Sequence, residues 1–125
     1  MNKKESFFKN RIKSIGYAYK GAAILLKTEA SIKIQVVIAI LVTIGGFFFK
    51  ISTTEWLVQL LAIAIVVSIE AVNTTIEEIA NFIHPEHHNK IGLIKDLAAG
   101  AVFIASFFAI VIGFIIYLPK IFKIL

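Results

Sequence analysis

The chain has 125 residues, of which 58% are hydrophobic, and a mean hydropathy of +0.87. A water-soluble domain of this size cannot hide so much apolar surface, so the excess must face lipid, and the length leaves room for one domain, 1–125, with no separate soluble module. The chain has no cysteine, which excludes disulfides and thiol chemistry, and its net charge of +5 is unevenly spread: eight of the thirteen Lys and Arg residues precede position 34. An apolar run follows that basic segment directly, so attraction to anionic lipid headgroups accounts for it without a nucleic-acid partner. No small-residue cleavage site follows the first apolar run, and no signal peptide is expected.

In chain order, residues 1–33 form a surface segment. Within it, 6–29 reads as an amphipathic helix, with Phe7, Phe8, Ile12, Ile15 and Tyr19 set against Lys9, Arg11, Lys13 and Lys20. Such a helix lies in the membrane interface; the plainer alternative is a basic tail that only orients insertion. About 20 helical residues cross the hydrocarbon core. The first span is 34–49, short and closed by Lys50. The second is 56–76, opening at the interfacial Trp56; its helical pattern continues toward Ile83 and stops near His84, before Pro85. The third is 97–118, uncharged and bounded by Asp96 and by Pro119-Lys120. The fold expected is therefore an all-α membrane protein, an amphipathic surface helix plus three transmembrane helices. The basic N-terminus places it in the cytoplasm, the 50–55 loop outside, the 84–95 loop inside and the C-terminus outside.

The second span carries the chemistry. An ionisable group inside a span costs roughly 2.5–3.5 kcal/mol on insertion scales, so it marks a candidate site. In Glu70-Ala71-Val72-Asn73-Thr74-Thr75-Ile76-Glu77-Glu78, positions 70, 73, 74 and 77 share one helix face. Glu70 lies fourteen residues past Trp56, or about 21 Å, in the cytoplasmic third of the bilayer, and Glu77 about 10 Å further on. Glu29, Lys95 and Asp96 are expected in the same plane as Glu77, where a water-soluble substrate and a lipid headgroup can meet. Phosphoryl transfer suits this set. Glu29 and Glu77 can supply hard oxygen ligands to Mg²⁺ on ATP, Lys95 can stabilise phosphate charge, and the deeper Glu70 can take the proton of a lipid hydroxyl. No Gly-x-x-x-x-Gly-Lys-Ser/Thr loop is present. A bland reading makes Glu70 a structural acid and Asn73 and Thr74 inter-helix glue. Spacing alone also leaves open a small ion-coupled transporter, since intramembrane Glu residues serve proton relays. His84, Glu86, His87 and His88 in one short loop give poor geometry for zinc.

The stretch E-A-V-N-T-T-I-E at 70–77, followed by K-D-L-A-A-G-A-V at 95–102, resembles the bacterial integral-membrane diacylglycerol kinase family, which includes the undecaprenol kinases. The resemblance covers nearly the whole chain, with Gly16-Tyr17 through Gly21 and Glu29 fitting the family's N-terminal surface helix. It implies a homotrimer in the bacterial cytoplasmic membrane, with shared active sites facing the cytoplasm and ATP, Mg²⁺ and a membrane lipid alcohol as reactants. It implies Glu70 as catalytic base with Asn73 beside it, and Glu29 and Glu77 as metal ligands. ATP contacts are implied for Tyr17, Glu29, Glu77, Glu86, His88, Lys95 and Asp96, and lipid contacts for Glu70, Trp56 and Ala99. The sequence departs from the family at Asn81, where Asp is usual, and at Thr75, where a common Ala gives way to a hydroxyl close to the stripe. A non-catalytic scaffold that kept the fold would accommodate Asn81. Gly46 through Trp56 and the ending at 113–120 look more like the undecaprenol-kinase branch. Both lipids offer a hydroxyl at membrane depth, so undecaprenol and diacylglycerol both stay open as substrates.

Overall fold

The computed structural model describes residues 3–125, with side-chain surroundings from residue 6 onward; Met1 and Asn2, at the head of the expected surface segment, lie outside the described residues. Four helices follow in order: α1 (Lys3–Thr28), α2 (Ala30–Phe49), α3 (Thr53–Ile83) and α4 (Asn89–Ile124). The last three are long and apolar enough to cross a membrane. The 20 residues of α2 make about 30 Å, one hydrocarbon thickness. The 31 and 36 residues of α3 and α4 make about 46 and 54 Å, so both project beyond it.

The distribution of side chains is that of a protein solvated by lipid. Among the described residues, Ile32, Ile51, Ala80, Ala98 and Ile116 are the buried apolar ones, and they are nearly matched in number by buried polar ones: Gln59, Glu70, Asn73 and Thr74. Large apolar side chains such as Phe103, Phe107, Ile110 and Phe114 point outward. Leaving each in water would forfeit about 1.5–3 kcal/mol, so these faces must be solvated by hydrocarbon. The chain is an integral membrane protein.

The junctions have local causes. A single extended residue, Glu29 (φ −96°, ψ 113°), separates α1 from α2. Its N–H still reaches the Leu25 carbonyl at 3.0 Å, and its own carbonyl accepts from Lys33 at 3.1 Å. At the end of α2, Lys50 turns left-handed (φ 53°), letting the Ile51 N–H return to the Gly46 carbonyl at 3.1 Å. Ser52 and Glu55 then start α3 with a reciprocal capping box, Glu55 N–H to Ser52 Oγ at 3.1 Å and Ser52 N–H to Glu55 Oε1 at 2.9 Å. The helix stops at His84, the residue that Pro85 restricts. The helices outlast the apolar runs that mark them. In particular, α4 passes through Pro119 to Ile124, because Lys120 ties the last turns down, donating to Glu55 Oε2 at 2.7 Å and to the Ile116 carbonyl at 3.2 Å.

Three side-chain contacts show that α3 and α4 pack antiparallel without slipping: Glu55 with Lys120, Gln59 with Tyr117, and Asn81 with Lys95. The Tyr117 hydroxyl also lies 3.0 Å from the Val42 carbonyl, which sets α2 beside them with Val42 level with Gln59.

Candidate active site

Along α3, one face carries every buried polar group of the charged half. Glu70 is 8% exposed, and Asn73 and Thr74 are each 7% exposed. Glu77, half-buried, accepts a hydrogen bond from Asn73 Nδ2 at 3.4 Å. The amide orientation follows from charge, since the opposite rotamer would aim Oδ1 at a carboxylate. Asn73 Oδ1 is left buried without a partner, an unmet bond of the kind that concentrates at functional sites. Thr75 stands apart from the stripe: it is exposed, and its hydroxyl donates back to the Ala71 carbonyl at 3.0 Å. The hydroxyl expected near the stripe is thus spent on the helix's own backbone.

Eleven residues are about three helical turns, so Asn81 continues the face of Glu70. Here α4 joins: Lys95 Nζ donates to Asn81 Oδ1 at 2.6 Å. Counting four residues from that contact along both helices puts Ala99 level with Glu77. Counting thirteen residues from the Val42–Gln59 level puts Glu29 level with Val72, between Glu70 and Asn73. The charges expected in a single plane therefore form a ladder about 14 Å long, from the Glu29 level to the Asn81–Lys95 level. The cause is that α2 is shorter than α3, so its first residue meets α3 well before the end of the longer helix. Glu29 is half-buried, and its carboxylate makes no bond to the helix it caps.

The remaining sequence candidates stand outside this ladder. Tyr17 is exposed on α1. Glu86 uses its carbonyl to accept from His84 Nδ1 at 2.8 Å, and His88 caps α4, its Nδ1 accepting the Lys90 N–H at 3.1 Å. Asp96 is exposed on the first turns of α4, without an ion pair among the described residues. Trp56 is at the other end of α3, about 21 Å from Glu70, packed on Phe47 (centroids 4.8 Å apart) and closely approached by Gly46. Among the described residues no three His, Asp or Glu side chains gather as a metal cage.

Beneath Glu70, toward the 50–52 turn, an apolar groove of about 520 Å³ runs between α2, α3 and α4, lined by Ile38, Val42, Ile63, Val66 and Ala109 among others. Gln59 and Tyr117 line it toward its far end. Sequence reasoning missed two features: the Asn81–Lys95 contact, signalled by the return of position 81 to the stripe, and the Gln59–Tyr117 contact, signalled by a lone amide within an apolar run.

Comparison with known proteins identifies the family. A family model described as prokaryotic diacylglycerol kinase matches residues 16–117. The chain is 35% identical over 108 residues to undecaprenol kinase of Bacillus subtilis (strain 168), covering 86% of this chain and 88% of the relative. It is 26% identical over 104 residues to diacylglycerol kinase of Escherichia coli (strain K12), covering 83% and 85%.

Proposed function

From the premise that this chain belongs to the prokaryotic diacylglycerol kinase family and is a membrane lipid kinase, we propose that it transfers the γ-phosphate of ATP to the hydroxyl of a polyprenol of the undecaprenol type at the cytoplasmic face of a bacterial inner membrane. The observation that carries this reading is the graded stripe on α3, with Glu70 buried within a helix long and apolar enough to span the membrane and Glu77 about 10 Å further toward the helix end, bonded to Asn73. The preference for undecaprenol over diacylglycerol rests on the higher identity to the undecaprenol kinase.

Glu70 accepts the hydroxyl proton as the lipid oxygen attacks the γ-phosphorus; the bond to the β-phosphate oxygen breaks, leaving ADP and a lipid phosphate. Glu29 and Glu77 would hold Mg²⁺. The fit is chemical: two carboxylates with oxygens not consumed by caps are the hard donors this ion takes alongside phosphate oxygens. When bound, the ion neutralises phosphate charge. Lys95 and Asp96 face the nucleotide, with Tyr17, Glu86 and His88 around it. The hydrocarbon chain lies along the groove below Glu70, against the small side chain of Ala109. The exposed apolar face of α1 (Phe8, Ile12, Ile15 and Tyr19) rests in the interface, and three copies assemble with their sites shared.

The test offers undecaprenol and diacylglycerol to the purified protein with γ-labelled ATP and Mg²⁺. Label should enter lipid, and undecaprenol should be the better acceptor. Label in neither lipid would end the kinase reading, and a preference for diacylglycerol would reverse the choice of substrate.

A further inference from the structure

We propose that Asn81 is a positioning residue that holds the Lys95 ammonium at the end of the carboxylate stripe while leaving its positive charge uncompensated; the inference rests on the phosphoryl-transfer reading of this site. Three observations lead to it. Lys95 Nζ lies 2.6 Å from Asn81 Oδ1, and no carboxylate pairs with Lys95 among the described residues. The residues come from different helices, fourteen apart in sequence, so the contact joins α3 to α4 rather than serving one helix. Asn81 also occupies the stripe itself, four residues or about 6 Å beyond Glu77.

The chemistry of the acceptor matters here. A lysine side chain has four rotatable bonds, and fixing it costs rotamer entropy each time an anion is bound. An amide oxygen accepts one of the three ammonium N–H bonds and carries no charge, so two donors and the full positive charge remain for an anionic ligand. A carboxylate in the same place would orient the amine equally well but cancel its field. The one ion pair among the described residues is Lys120 with Glu55 at the opposite end of α3, where a carboxylate does accept the lysine at 2.7 Å. The ladder thus ends with an oriented cation, paired with no carboxylate among the described residues, bonded to a residue one turn or about 6 Å along α3 from Glu77. That spacing suits a metal-bound polyphosphate, with its metal at Glu77 and its excess negative charge at Lys95.

The test is steady-state kinetics of the full chain in lipid with ATP as the varied substrate. Asn81→Ala should raise the KM for ATP about 3–10-fold, the value of one lost hydrogen bond, with a smaller change in kcat. Asn81→Asp should keep the lysine in place but compensate it, raising KM about tenfold, the value of one close opposite charge in water. In a Lys95→Met background, Asn81→Ala should have no further effect, because the group it positions is gone. A merely structural role would instead lower thermal stability and act equally with or without Lys95. Wild-type KM values in both Asn81 variants, or additive losses in the double mutant, would overturn the proposal while leaving the kinase reading intact. Absence of lipid phosphorylation by the wild-type chain would remove that reading and this inference together.

Discussion

The two ends of the α3–α4 pair are built from the same residue types to opposite ends. Beside the 50–52 turn, polar groups are used up on one another. Glu55 completes a capping box and takes Lys120; Tyr117 meets both Gln59, 3% exposed, and the Val42 carbonyl. The hydroxyl has one proton and two acceptors. A half-turn of the Gln59 amide, whose Nε2 otherwise has no partner, would let it donate to Tyr117 while Tyr117 donates to Val42. At the charged end the groups are oriented but not consumed. Asn73 takes one oxygen of Glu77, Asn81 takes one N–H of Lys95, and Glu29 makes no cap. Closed networks hold helices together, whereas half-open ones leave donors and acceptors free.

Substitutions can break this contrast in either direction. At the charged end, Glu77→Gln should lower lipid phosphorylation by at least about 10²-fold or sharply raise the Mg²⁺ requirement, since it removes a hard anionic ligand. The melting temperature of the variant should stay close to wild type. A Mg²⁺ titration of the reaction checks this, and an unchanged curve would take Glu77 out of the metal site. At the turn end the ranking should invert. A Cβ at position 46 would come within 2.6 Å of the Trp56 ring, so Gly46→Ala should destabilise by about 1–3 kcal/mol through overpacking, while turnover per folded protein stays near wild type. Denaturant titration in detergent separates the two readouts. Tyr117→Phe deletes the hydroxyl that joins three helices and should cost about 1–2 kcal/mol, again with little loss of turnover. Loss of activity without loss of stability in Tyr117→Phe would mean that the turn end is not merely a clamp.

Much of this was legible in the sequence because hydrocarbon is a simple solvent. Apolar runs had to become helices, Pro85 had to stop α3, and Glu70, Asn73 and Glu77 had to share a face once that helix was granted. Register was harder to see. That Glu29 falls beside Val72 and not Glu77 depends on how far the α2–α3 hairpin runs before each helix ends, and no periodicity encodes it. Pro119 looked like a boundary because its missing N–H was visible, while the Lys120–Glu55 pair that carries α4 past it spans 65 residues. Asn81 read as a lost charge, but its partner, and so its use, required α4 to be placed.

The central claim is that Glu70 serves the lipid hydroxyl and not the nucleotide. The most direct measurement pairs turnover with ATP binding in one preparation of Glu70→Gln, which keeps the side chain's shape and removes the base. Lipid phosphorylation should fall by about 10²–10⁴-fold while ATP affinity stays within about twofold of wild type. Near-normal turnover, or a fall in ATP affinity that parallels the fall in turnover, would contradict the account.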